Sequence, residues 1–200
     1  MNYFAHLALA QPTAPSKVGN LLGDFMRGVR EEQLPEPVRL GLLNHRLVDR
    51  VTDDHPPVRH SRQLFAAPRR RFAGVALDVL FDHFLVRHWA RFHDQPLHQA
   101  IDRDYRLLLE GRALMPVPMR AVVERMVAQD WVRHYAELDT VGRALDRIAA
   151  RVRFANRFQG CQADIEHHYE HLEQVFLELY PGLQRAVAEQ ALEQAPAQPD

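Results

Sequence analysis

Asp78-Val79-Leu80-Phe81-Asp82-His83-Phe84-Leu85-Val86-Arg87-His88 is the stretch on which the reading of this chain turns. It lies in a run without proline between Phe72 and Gln95. Leu77, Phe81, Phe84 and His88 recur in it at helical spacing, which predicts a helix with that stripe facing a core. Asp78 and Asp82 are four residues apart, so they stack about 40° from each other at the rim of the stripe, and His83 follows about 100° further round. Two carboxylates and an imidazole beside a greasy face need a counter-charge, because burying unpaired charge is costly. Carboxylate and imidazole together suit a divalent ion such as Mn, Fe or Zn. Acids paired with arginines, plus a satisfied core histidine, are the plainer alternative.

Outward from this stretch, helical periodicity recurs and no β-alternation or hairpin signal persists, so an all-α domain is expected. A short apolar helix should cover 3–10 and end before Pro12. A second, capped by Ser16, should run from Lys17 to about Arg27 and close at Gly28. Pro35 and Pro37 open a third from about Val38 to Thr52, with Leu40, Leu43, Leu47 and Val51 as its core stripe. Further helices are expected near Val58–Ala66, Leu97–Leu109, Pro118–Gln129 and Val141–Arg151. A long one should run from about Gln159 to Leu179, stopping at Tyr180-Pro181-Gly182. The expected organisation is one compact helical domain over 1–190 and a disordered tail over 191–200.

Two hundred residues with 46% hydrophobic and 26% charged side chains fit one domain with a real core. No apolar run reaches the roughly 20 residues that a membrane span requires. The first ten residues lack a basic n-region, and the single cysteine, Cys161, excludes an internal disulfide and a cysteine zinc cage. A cytoplasmic protein is expected, without a membrane or nucleic-acid partner, since the net charge is only −1. The positive charge is almost all arginine, with Lys17 the one lysine. Arginine grips phosphate and carboxylate bidentately.

Three other segments carry polar residues that a helical core does not ask for. In Gly19-Asn20-Leu21-Leu22-Gly23-Asp24-Phe25 the glycines cost about 1 kcal/mol each in helix propensity, which implies close packing or a ligand near the backbone. Asp24 is a candidate site acid, unless Arg27 pairs with it. His45 and Asp49 share a helix face at i, i+4, a spacing that places a ligand beside a second acid. His6 stands alone in an apolar segment, where a core histidine with one hydrogen bond is the usual reading. Glu166-His167-His168-Tyr169-Glu170-His171 looks metal-rich, yet its flanks mark an amphipathic helix with those heads in water. Arg69, Arg70 and Arg71, with Arg59 and Arg62, could form a basic patch for an acidic partner or a phosphate. No phosphate-cradling Gly-Lys-Ser/Thr loop, nucleophile elbow or HExxH is present. Acids and histidines on separate helices therefore favour metal-assisted hydrolysis of a phosphate ester.

Taken in order, MNYFAHLALA (1–10), GNLLGDFMRG (19–28), HRLVDRVTDDHP (45–56), RRR (69–71) and LDVLFDHFLVRHW (77–89) resemble the bacterial acyl carrier protein phosphodiesterases. The likeness continues more loosely through WVRHY (131–135) and HHYEHLEQVFLELYP (167–181). It implies an all-helical fold distantly related to HD phosphohydrolases, though the His-Asp pair of that superfamily reads Asp82-His83 here. It implies hydrolysis of the phosphodiester between 4′-phosphopantetheine and the serine of holo acyl carrier protein. It also implies a need for Mn²⁺ or another divalent ion such as Mg²⁺, Fe²⁺ or Co²⁺. On this reading His6, Asp24, Asp78, Asp82 and His83 hold metal, and Asp24, His45 and Asp49 do the proton work, Asp49 orienting His45. Arg27, Arg46, Arg69, Arg70 and Arg71 would meet the phosphate and the acidic carrier protein. The competing readings are an HD-like hydrolase of nucleotides or other small phosphate esters, and a non-catalytic helical adaptor for an acidic partner. The oligomeric state is left open.

Overall fold

A computed structural model describes residues 1–152 and 157–194, and among these there are helices and turns but no strands. The helices are α1 (Tyr3–Leu9), α2 (Ala14–Leu22), α3 (Glu36–Asp54), α4 (Pro56–Ser61), α5 (Ala73–Phe92) and α6 (Leu97–Glu110). They continue as α7 (Val117–Ala128), α8 (Trp131–His134), α9 (Leu138–Arg151), α10 (Gln162–His167) and α11 (Tyr169–Gln190). The all-α expectation holds.

α5 is the centre of the bundle, touched by α1, α6, α8, α9 and α11. Val79 to Val86 are all buried, so the helix is surrounded, and Asp82 and His83 lie inside the protein rather than at the rim. His88 departs from helical geometry (φ −107°, ψ 16°) and is only half-buried, its ring donating to Glu173 Oε1 at 2.8 Å.

α1 has only seven residues, too few to be stable alone. Charges from elsewhere hold both of its ends. Asp82 accepts hydrogen bonds from the backbone N–H groups of Phe4 and Ala5, both at 2.9 Å, and from Asn2 Nδ2 at 3.0 Å. Lys17, fully buried, donates to the carbonyls of Leu7 (2.6 Å) and Ala10 (3.4 Å) and pairs with buried Asp104 at 3.0 Å. An anion at the start of a helix and a cation at its end each complement the helix dipole.

α2 starts three residues earlier than expected. Thr13 is its cap, its hydroxyl accepting from Ser16 N, and Pro15 sits in the first turn, where the missing N–H costs nothing. The helix ends at Leu22 and continues as a 3₁₀ turn over Gly23–Phe25 rather than running to Arg27. α2 crosses α3 at Gly19 and Gly41, where a Cβ on Gly19 would stand 2.2 Å from Val38 O. That contact rotates α3 relative to the expected stripe. Val38, Leu42, Asn44, His45, Leu47, Val48 and Thr52 are buried, while Leu40, Leu43 and Val51 are half-exposed.

The expected long C-terminal helix breaks at His168 (φ −115°, ψ 16°) and then continues past Pro181 to Gln190. An internal proline costs about 3 kcal/mol. Burial of Tyr180 and Leu183 on its two sides offsets that cost. Of the tail expected over 191–200, residues 191–194 form a turn in which Glu193 Oε1 accepts from Asn20 Nδ2 at 2.9 Å. Residues 195–200 lie outside the described residues.

Candidate metal centre

His6 on α1 and His45 and Asp49 on α3 meet at one point. His45 Nε2 is 3.0 Å from Asp49 Oδ2, and His6 Nε2 is 3.2 Å from Asp49 Oδ1. The two rings stack with centroids 3.9 Å apart. Three donor atoms, one from each residue, lie within 4.8 Å of one another, and no other such group occurs among the described residues. The α-amino nitrogen of Met1 bridges Asp49 Oδ1 (3.2 Å) and Asp78 Oδ1 (3.0 Å), drawing α5 into the same neighbourhood.

Local structure explains each placement. The His45 ring lies over Gly23, where a Cβ would come within 2.1 Å of it. The glycine is therefore the space the imidazole occupies. His45 Nδ1 donates to the carbonyl of Asn20 at 2.8 Å, because a carbonyl can only accept. In a neutral ring that leaves the lone pair of Nε2 facing a carboxylate oxygen, a repulsive arrangement unless a proton or a cation stands between them. His6 makes the same point more sharply. Its ring is fully buried, Nδ1 has no partner, and Nε2 is near Asp49 without hydrogen-bond alignment. Orphaned buried nitrogen beside a carboxylate fits a divalent ion of the kind that imidazole and carboxylate share.

The electrostatics differ between the two rings. Burial pushes the His6 pKa down to about 3, so the ring is neutral and able to ligate. Burial also opposes protonation of His45, but the Asp49 hydrogen bond and the Asp49 and Asp24 charges outweigh it and raise its pKa. Burial acts against ionisation of Asp49, yet the two histidines and the Met1 ammonium hold its carboxyl well below the usual range. Asp24, in the 3₁₀ turn after α2, is open to solvent on one side. Its pKa is raised by desolvation on the other, and it feels the charges of His45 and Asp49.

The other expected site residues are placed differently. Asp78 reaches the centre only through the Met1 nitrogen. Asp82 is spent on the start of α1, and burial pushes its pKa up to about 7 against those three hydrogen bonds. His83 points elsewhere: Nδ1 donates to Tyr135 O at 2.6 Å and Nε2 accepts from the Tyr169 hydroxyl at 2.8 Å, which leaves no nitrogen for a metal. Arg46 is forked on Glu31 and Arg69 on Asp164, while Arg70 donates to Gln63 O. Arg71 and Arg27 are exposed. Among the described residues no arginine pairs with Asp24, Asp49, Asp78 or Asp82, whereas His83 is the satisfied core histidine of the plainer alternative.

Sequence reasoning missed the Met1 nitrogen and the Asn20 carbonyl, since a backbone group leaves no mark in the residue alphabet.

A family model described as acyl carrier protein phosphodiesterase matches residues 1–183. An acyl carrier protein phosphodiesterase of Pectobacterium atrosepticum is 34% identical over 193 residues, covering 96% of this chain and 100% of the relative. One of Escherichia coli is 33% identical with the same coverage. No solved structure matches.

Proposed function

The chain belongs to the acyl carrier protein phosphodiesterase family, and we propose that its His6, His45 and Asp49 hold the divalent cation used in that reaction. The protein is a phosphodiesterase that hydrolyses the link between 4′-phosphopantetheine and the carrier serine, giving apo acyl carrier protein. Its metal need, its metal and its residue roles are the proposed part. The supporting observation is that two imidazole Nε2 atoms converge on the two oxygens of one carboxylate, with His6 otherwise unpartnered.

A bound Mn²⁺, or another divalent ion, supplies Lewis-acid polarisation of the phosphoryl group and makes nearby water more acidic. The chain does the rest. Asn20 O fixes the His45 ring so that only Nε2 faces the centre. Asp49 holds both imidazoles, and Asp82 and Lys17 hold the helix that carries His6. Asp24, on the open side with its pKa raised, accepts the proton of the attacking water. Asp78 adds negative charge beside Asp49 and keeps a cation favoured there. The cytoplasm is the proposed location.

Mass spectrometry of holo acyl carrier protein incubated with the protein tests this reading. Loss of the prosthetic group with Mn²⁺, its retention after chelation, and retention with Asp49→Asn are expected. Equal release with and without metal would overturn the metal assignment, and no release under any divalent ion would overturn the substrate.

A further inference from the structure

A cleft of about 290 Å³ opens between α1, α5 and the α7–α9 segment. One end lies near the centre described above, since Tyr3 in its wall feels the charges of both Asp24 and the rim residue Arg151. Asn2 and Tyr3, at one end, follow Met1, whose nitrogen bridges Asp49 and Asp78, and Val79 follows Asp78. From there it runs between Trp131 and Tyr135 on one side and Ala144 and Ile148 of α9 on the other. Its walls are mixed, with aliphatic and aromatic faces interrupted by hydrogen-bonding groups such as Asn2, Gln129 and Thr140. Arg143, Arg147 and Arg151 stand at successive turns of α9 along its rim. All three are exposed, and none pairs with a carboxylate among the described residues, unlike Arg46, Arg62, Arg69 and Arg133.

We propose that this cleft takes the pantetheine arm of the substrate, with the α9 arginines drawing in the anionic end of the chain and the acidic protein attached to it. This rests on the phosphodiesterase reading and adds where the arm lies. Three features favour that occupant. The cleft ends at Tyr3, within reach of the charge of Asp24 beside the cation site, so an arm leaving a phosphorus held there has a short path into it. A flexible chain of methylenes and amides needs apolar walls with scattered donors and acceptors, which is what small-molecule clefts of this size supply. The rim carries unpaired positive charge, which suits an acidic carrier and speeds its approach. The assignment moves recognition of the substrate from Arg69–Arg71, of which Arg69 is held by Asp164, to α9.

Three measurements on the full chain test it. Pantetheine, the arm without its phosphate, is titrated while tryptophan emission is followed. Trp131 is half-buried on the cleft wall, and Trp131→Phe separates its signal from that of buried Trp89. A saturable change lost in Trp131→Phe is expected. Steady-state kinetics on holo acyl carrier protein are then compared for Ala144→Phe, which fills the cleft, and Arg147→Glu, an exposed change. Each should raise KM roughly tenfold with little change in kcat, the mark of lost ground-state binding. Mn²⁺ affinity, read by calorimetry, should not move. Turnover by the wild-type protein with unshifted KM in both variants, or no emission change at pantetheine concentrations far above the KM, overturns the inference alone. A wild-type protein that never releases the arm overturns the functional reading, and the inference with it.

Discussion

Asp49 receives two imidazoles and an ammonium on two oxygens, a concentration of partners that a mere salt bridge does not need. Replacing it by asparagine keeps the shape and removes the charge. Asp49→Asn should lower Mn²⁺ affinity by roughly a hundredfold or more and activity in parallel, measured by calorimetry and by release of apo carrier protein. Gly23 offers a subtler probe. Gly23→Ala puts a methyl group where the His45 ring lies, 2.1 Å from its nearest atoms, so the ring must turn away from Asp49. The expected result is a fall in kcat of at least about tenfold together with a lower Tm, since the displaced ring is buried and gives up its bond to Asn20 O. At this scale the sequence is legible where spacing is local. His45 and Asp49 announce themselves at i, i+4. Asp82 and His83 are misread because a residue's neighbour in the chain says nothing about which distant backbone group will claim it. Tyr135, Tyr169 and the start of α1 claim these two.

α1 is the element on which the site depends, and its stability is borrowed. Lys17→Met removes the cation from the end of α1 and leaves Asp104 buried with only the flanking Arg103. Breaking one partner out of a buried pair costs about 3 kcal/mol, which in a chain of this size lowers Tm by roughly 6–12 °C. Calorimetry reads it directly. At the other end, Asp82 should make stability depend on pH. Its pKa is about 7 in the folded protein against an ordinary 3.8, so the folded form binds the extra proton between those values. Stability from this group is therefore full below about pH 4 and falls as pH rises through about 7. Urea unfolding at pH 5 and pH 8 should show that decline, and Asp82→Asn should lose this part of it. The helices themselves are largely legible, since hydrophobic periodicity fixes type and rough extent. Their rotation is not. The buried face of α3 differs from the expected stripe because the Gly19–Gly41 crossing, a contact between two helices, chooses which side of α3 is covered. Likewise Pro181 reads as a stop, but the burial of Tyr180 and Leu183 carries α11 through it.

At the scale of the whole molecule, the all-helical bundle surrounds α5, and the candidate centre lies where α1, α3 and the turn after α2 meet its flank. An open cleft with a rim of arginines ends at Tyr3, near Asp24 on the same side of the molecule. Composition told of one domain and of arginine rather than lysine, but which arginines remain free is decided only by folding. Arg46 and Arg69 find acids, whereas the α9 set faces solvent. The family likeness gives the class of reaction, and the proposed way in which this chain performs it rests on where one cation would bind. A crystal of the protein soaked in Mn²⁺ and measured at the manganese absorption edge tests that most directly. The predicted result is an anomalous peak in contact with His6 Nε2, His45 Nε2 and an oxygen of Asp49. A peak held by Asp82 and His83, or no peak on α1 and α3 at saturating Mn²⁺, would contradict it.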